Sequence, residues 1–367
     1  MSSRRPTPAD FPWTGDAARW SWLVERIEGD LDEGSDPEIG LPLPALSHIV
    51  PSGYDAVVRV LHPFARSRPA SGTWDEYRAA MQSDDPERWP DQTTEETVRW
   101  STVAAARGLE LSPGASSYGL LGIEYGEQPE GEAPDGWAYE LPLEGSPDER
   151  EFLAIAAILG EHTTTPDRGI AAVWEGYGGL VSAQGVGFYV GFVPDGRPRG
   201  PRWWRRLSSA AQARRASFAE FRRHFGTGPA VRNLLQDLLS GGRGRFRLAP
   251  RALEQRPGSG LLTREAATGL RLELPDRAYV CFEAGASALA DPDWPLRAPW
   301  TEGEAGLGTR LPNLVWPDGR EWVLISEIDF DSTLVACSRA CADALLASDA
   351  VEAVEITRDT PLWETAR

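Results

Sequence analysis

Residues 322–356 read WVLISEIDFDSTLVACSRACADALLASDAVEAVEI and hold the clearest fold signal in the chain. The segment begins with the apolar run Trp322–Ile328 and ends with Val351–Ile356, and both of these stretches are strand-like. Between the two runs, four apolar residues recur at helical spacing: Leu334, Cys337, Cys341 and Leu345. The segment therefore predicts a strand–helix–strand unit.

Helices and strands are also indicated on the N-terminal side of this unit. Three helices are predicted: one over 15–28, one opened by the capping-box spacing of Thr93 and Glu96, and one with Ser146 as N-cap that stops at Gly160. The predicted strands are Tyr54–Leu61, Gly169–Trp174, Gly187–Val193, Leu270–Leu274 and Ala278–Phe282. Because the elements follow no strict βαβ repeat, we expect an α+β fold with mixed sheets and packed helices.

The composition excludes several kinds of chemistry. All 37 basic residues are arginine and none is lysine, which removes Schiff-base catalysis, the P-loop lysine and the Ser–Lys dyad. The formal net charge is −18, and the 15 tryptophans are about three times the usual number, so we expect aromatic side chains to fill much of the core.

The three cysteines and the N-terminal sequence indicate where the protein is located and whether it binds a metal. Cys281, Cys337 and Cys341 are odd in number and form no disulfide framework. Cys337 and Cys341 have a spacing that could share a metal, but they lie on an apolar stripe, so we expect buried thiols and no metal. The chain shows no secretory signal and no membrane-length apolar run, which favours a cytoplasmic protein that does not enter a membrane.

Arginine is concentrated in one block. Residues 195–256 contain fifteen arginines against four acids and are flanked by Pro/Gly-rich stretches, which predicts a helical insertion over 194–258 between regions 1–193 and 259–367. Regions 1–193 and 259–367 could form one continuous unit. Cations and aromatic rings that could contact phosphates and bases are interleaved here: Arg202, Trp203, Trp204, Arg205, Arg206, Arg214, Arg215, Arg222 and Arg223. Segment 197–251 could instead pair with the chain's own acids, remain solvated, or bind an acidic protein.

The sharpest local motif is Asp329-Phe330-Asp331-Ser332-Thr333, directly after an apolar strand. It resembles the D-x-D-G-T nucleophile motif of haloacid-dehalogenase-type phosphohydrolases. That resemblance implies Asp329 as nucleophile, Asp331 as general acid and a bound Mg²⁺. In this chain Ser332 replaces the glycine and few residues follow the motif. The alternative is a polar cap that leads the strand into the next helix.

A second candidate is the segment Glu161–Asp167, which reads EHTTTPD. His162 between carboxylates could act as a general base or as a metal ligand. Because the segment follows a helix-stop glycine and is rich in Thr, Pro and Asp, a structural turn is the favoured interpretation.

Three stretches, 51–64, 160–179 and 311–348, resemble an uncharacterised family of actinobacterial cytosolic proteins. The resemblance runs from one end of the chain to the other and implies one long family unit. No activity is established for that family, so it implies no catalytic residue.

These observations favour a protein without its own catalytic machinery that binds a macromolecule, with another protein as the expected partner, as an immunity-type or regulatory module. One alternative is a Mg²⁺-dependent phosphohydrolase that uses Asp329 and Asp331. The other is nucleic-acid binding through segment 197–251.

Overall fold

A computed structural model describes residues 11–27, 46–82, 93–145, 147–182, 257–258, 260–275, 277–301 and 310–362. The chain forms two compact units, one made of residues 1–174 with 270–367 and the other of residues 175–269. All but the last two residues of the predicted insertion 194–258, and the whole predicted strand Gly187–Val193, lie outside the described residues.

The first unit contains all of the described strands and most of the described helices. Its helices are α1 (Ser21–Arg26), α2 (Trp74–Met81), α3 (Trp100–Arg107), α4 (Ser117–Leu121), α5 (Glu149–Glu161), α7 (Ala286–Leu289) and α8 (Arg339–Leu346). Its strands are β1 (Ala56–Leu61), β2 (Phe64–Pro69), β3 (Thr93–Val98), β4 (Ala138–Glu140), β5 (Gly169–Trp174), β6 (Leu272–Glu273), β7 (Ala278–Glu283), β8 (Leu314–Pro317), β9 (Trp322–Ile325), β10 (Ser332–Cys337) and β11 (Glu352–Ile356). In the second unit, helix α6 (Arg264–Thr268) is capped by the Thr263 side chain.

Eight strands form the main sheet in the order β11-β1-β10-β9-β8-β5-β7-β6. Strands β9 and β10 lie inside this sheet, and every residue of both is buried. Three further strands form a small sheet in the order β3-β2-β4. The α+β class is therefore confirmed, although all the described strand pairs are antiparallel where we had expected mixed sheets.

The predicted strand–helix–strand unit over 322–356 is corrected to strand–strand–helix–strand. Residues 332–337 form β10, which pairs with both β1 and β9, and the helix begins only after Ser338, whose hydroxyl accepts from the Cys341 N–H. The apolar spacing from Leu334 to Leu345 therefore spans a strand and a helix that meet at this cap. The DFDST segment accordingly leads into a second strand and not into a helix.

Two predicted helix starts are also wrong. Thr93–Val98 is strand β3, and α3 begins at Trp100 and ends at Gly108, which adopts the left-handed backbone of a helix C-cap. The carboxylate of Asp148 caps α5, which continues through Gly160 to Glu161. The first error arises because Thr93 and Glu96 pair with β2 as part of a strand, and the second because two residues near the start of α5, Ser146 and Asp148, are both suitable caps.

Aromatic side chains fill much of the core, as the tryptophan count predicts. Trp100, Trp294, Trp300, Trp316 and Trp322 are each no more than 1% exposed. Three of these indoles donate to backbone carbonyls: Trp100 to His62, Trp300 to Arg310 and Trp322 to Leu159. In the part of the chain that the structure describes, none of the helices has both the length and the apolar composition of a membrane-spanning segment.

Candidate functional site

An arginine lies in the middle of the buried strand β1. Arg59 is 1% exposed, and its guanidinium donates to the Asp331 carboxylate at 2.9 Å, to the Ser332 hydroxyl at 2.9 Å and to the carbonyls of Pro113 and Ala115 at 3.0 and 2.8 Å. Burial lowers the pKa of Arg59, and the neighbouring Asp331 opposes that shift. A buried charge of this kind is tolerated because a carboxylate, a hydroxyl and two backbone carbonyls accept from it.

Asp331, predicted as a general acid, is part of this buried network. It is 3% exposed; one carboxylate oxygen binds Arg59, and the other accepts the backbone N–H of Ser117 at 3.2 Å. Asp329, the predicted nucleophile, is 58% exposed at its side chain and pairs with Arg277, which also pairs with Glu327 at 2.6 Å. The two aspartates are thus held by different arginines, and this arrangement ties Asp331 to the β1–β10 core.

His62 follows β1 and completes the buried polar group. Its Nδ1 lies 2.7 Å from the Leu143 carbonyl, and its Nε2 lies 2.9 Å from the Thr333 hydroxyl. Burial lowers the pKa of His62 to about 4, so the ring is neutral at pH 7. Because a carbonyl can only accept, the single ring proton is on Nδ1, and Nε2 accepts from Thr333. The histidine therefore fixes the loop around Leu143 against the sheet.

An exposed face surrounds this buried network where the 326–331 turn reaches the surface. We call it the Tyr118–Glu144 face and define it by Tyr118, Tyr125, Leu143, Glu144 and Asp329. The two tyrosine rings are 5.1 Å apart, and the Tyr118 hydroxyl donates to Glu144 at 3.4 Å. Leu143 is 71% exposed, the most exposed of the large apolar side chains in the described part of the chain.

Two carboxylates lie in this face, and one of them, Asp329, is already paired with Arg277. Partial burial raises the pKa of Glu144, and Asp329 and Asp331 raise it further. The pKa of Tyr118 rises to about 12, through burial first and then through Glu144. Glu144 forms no ion pair with any described cation. The face thus combines aromatic rings, an exposed leucine and the Glu144 carboxylate, a set that can bind a cationic side chain.

His162, Cys337 and Cys341, the other candidate site residues that the structure describes, lie at a helix end or in the core. His162 follows α5 as its C-cap, and the next two threonines bind Glu321: Thr163 through its hydroxyl at 2.8 Å, and Thr164 through its N–H and hydroxyl at 2.8 and 2.6 Å. Cys337 and Cys341 are buried thiols in contact with each other. Within the described ranges, no group of His, Cys, Asp and Glu has the arrangement of a metal site.

The predicted Arg/Trp binding residues, from Arg202 to Arg223, lie outside the described residues. Of the candidates that can be placed, Asp331 joins Arg59 and His62, and Asp329 lies at the surface beside Glu144. Sequence reasoning missed Arg59, although a single arginine within the apolar run AVVRVL is itself a signal of a buried charge. It also missed Tyr118 and Leu143, for which the sequence holds no comparable signal.

Comparisons of the chain with protein-family models, with curated proteins and with solved structures gave no match.

Proposed function

We propose that the chain is an immunity-type or regulatory module that binds a basic segment of a partner protein through the Tyr118–Glu144 face and has no catalytic role of its own. The observation that carries this proposal is the tyrosine pair beside Glu144 and the exposed Leu143. The partner class follows from the charge of the face, because carboxylates and aromatic rings both attract guanidinium and ammonium groups.

The energetics favour such a partner. A cation over an exposed tyrosine contributes roughly 0.5–1 kcal/mol, and more once water is excluded from the contact. Burying Leu143, which precedes Glu144 in the chain, adds a favourable apolar term. The chain's net charge of −18 would speed the encounter with a basic protein at low ionic strength.

The surroundings of Asp331 are the reason for preferring binding to phosphohydrolysis. A general acid needs access to the leaving group, and Asp331 is 3% exposed and engaged by Arg59 and Ser117. A cytoplasmic location fits a basic protein partner, and it remains part of this proposal.

Site-specific photocrosslinking tests the proposal in the native cell. A photoreactive phenylalanine replaces Leu143 in one variant and Leu296 in a matched control, because these leucines are 71% and 64% exposed. We expect a discrete adduct with a basic protein only from position 143. Equal adducts from both positions, or none from position 143, would overturn the proposal.

A purified partner fragment then allows a quantitative test. Glu144→Gln and Tyr125→Ala should each weaken binding about fivefold or more, whereas Glu130→Gln, an exposed acid outside the face, should leave affinity unchanged. An equal loss in all three variants would indicate nonspecific charge attraction and count against a defined face.

A further inference from the structure

The two ends of strand β9 differ in chemistry. The 326–331 turn at one end carries the acidic Tyr118–Glu144 face, whereas the turn after β8 at the other end borders a cleft of about 230 Å³. The side chains that line this cleft include Arg19, Trp22, Trp316 and Arg320. A concave surface with arginines and indole rings is a common form of site for small anionic ligands.

Hydrogen bonds fix the backbone of the turn that carries Arg320. The N–H of Asp318 donates to the Arg168 carbonyl, and that of Gly319 donates to the Thr165 hydroxyl, both at 3.0 Å. The Glu321 carboxylate is held by Thr163 and Thr164. The segment first considered as a catalytic site around His162 therefore supports this turn from the side.

Arg320 itself has an unusual backbone. Its φ is +61°, and it is the one non-glycine residue with positive φ among those the structure describes. The Tyr54 hydroxyl donates to the Arg320 carbonyl at 3.0 Å and so helps to hold this conformation. Non-glycine residues in the left-handed region are uncommon and concentrate at functional positions, since the surrounding structure must hold them there.

Two guanidinium groups near the cleft have no carboxylate partner in the described part of the chain. The Cζ atoms of Arg320 and Arg26 lie 5.0 and 5.4 Å from the Trp22 ring, and both side chains are exposed. Arg19 differs, because it pairs with Asp318 at 2.5 Å and with Glu283 at 3.0 Å. Asp318, the acid within the cleft, is therefore engaged by Arg19, whereas Arg320 has no carboxylate partner among the described residues.

We infer that this cleft binds a small molecule through an oxyanion group, with Arg320 as the principal contact and Arg26 adding a second positive charge. A phosphate monoester matches two guanidinium groups better than a carboxylate does, because it carries close to two negative charges at neutral pH. Trp22 and the fixed turn hold the guanidiniums in place before the ligand arrives, which lowers the entropic cost of binding. This site is separate from the Tyr118–Glu144 face and does not depend on it.

The test uses phenyl phosphate, benzoate and benzyl alcohol as probes of similar size. The Trp22 indole N–H donates to the Arg19 carbonyl at 3.1 Å, so its NMR resonance reports on the cleft. We expect saturable shifts with phenyl phosphate, weaker binding of benzoate and no effect of the alcohol. No shift with either anion, or equal shifts with the alcohol, would overturn the inference. Tighter binding of benzoate would support an oxyanion site but overturn the phosphate assignment.

Variants locate the site. Arg320→Asn removes the guanidinium, while asparagine tolerates the left-handed backbone, so affinity for phenyl phosphate should fall about tenfold at an unchanged melting temperature. Arg26→Gln should cause a smaller loss. Arg78→Gln is the matched control, because Arg78 is already paired with Asp75 and Glu132. Equal affinity of Arg320→Asn and the unaltered chain would overturn the inference.

Discussion

Arg59 in β1 and Asp331, the residue just before β10, form an ion pair of 2.9 Å with side chains that are 1% and 4% exposed. The pair joins the start of β10 to the middle of β1, and Arg59 also binds the carbonyls that precede α4. It therefore links the main sheet to the start of α4, the helix that carries Tyr118 of the Tyr118–Glu144 face.

Loss of one partner of this pair should destabilise the protein strongly. Asp331→Asn leaves the Arg59 charge buried and unpaired, which should lower the free energy of unfolding by about 3–5 kcal/mol. The double variant Arg59→Met/Asp331→Asn should lose less than the sum of the two single variants. Urea denaturation measures all three, and strictly additive losses would contradict an interacting pair.

Asp329→Asn is the control for that experiment and also addresses the phosphohydrolase alternative. Asp329 is exposed, so its pair with Arg277 should contribute less than about 1 kcal/mol. Mg²⁺-dependent hydrolysis of p-nitrophenyl phosphate that this substitution abolished would favour the enzyme. We expect no such hydrolysis.

His62 should make stability fall with acid. Its pKa in the folded protein is about 4, below the ordinary value of 6.5, so the unfolded chain binds a proton first as pH falls. The contribution of His62 to the free energy of unfolding is complete above pH 6.5. It decreases by about 3 kcal/mol in all as pH falls from 6.5 to 4. Chemical denaturation across this range should show a steeper loss for the unaltered chain than for His62→Gln. Identical slopes would contradict the buried neutral imidazole.

Glu151 should make the stability of the protein fall as pH rises, the opposite of the effect of His62. Burial, with Asp148 adding to it, raises the pKa of Glu151 to about 7, and its Oε2 has no hydrogen-bond partner among the described residues. The folded protein therefore binds this proton more tightly than the unfolded chain, and stability decreases as pH rises from 4.5 to 7. Glu151→Gln should stabilise the protein by about 1–2 kcal/mol at pH 8 and by much less at pH 5. A stabilisation that is independent of pH would contradict this assignment.

Glu352 should cap a helix that is far from it in sequence. Its carboxylate accepts the N–H groups of Trp100 and Ser101 at 2.5 and 3.0 Å, at the first turn of α3. Glu352→Ala should cost about 1–2 kcal/mol in thermal or urea unfolding. Glu355→Ala, on the same strand but in a surface pair with Arg339, should cost less, and the reverse order would contradict the cap.

The elements that were predicted correctly are those whose pattern of apolar residues is complete within a short stretch of sequence. Gly169–Trp174 is an apolar run, and the structure gives it those same bounds as a strand. Strand β3 was missed because its sequence, TTEETV, lacks apolar alternation and its residues are mostly exposed. It forms through pairing with β2, where Glu96 binds Arg66. Pairing between distant segments can thus outweigh a local capping signal.

The α+β class, the apolar strands of the main sheet and the aromatic core can be predicted from the sequence, because these depend on hydrophobic pattern and composition. Tertiary structure alone decided that Asp331 pairs with Arg59, that Glu352 caps α3 and that Arg320 is held over Trp22. Each of these contacts joins residues more than 200 positions apart. Their energies depend on burial and on atomic distance, and a polar residue's partner is fixed only once the strands have paired.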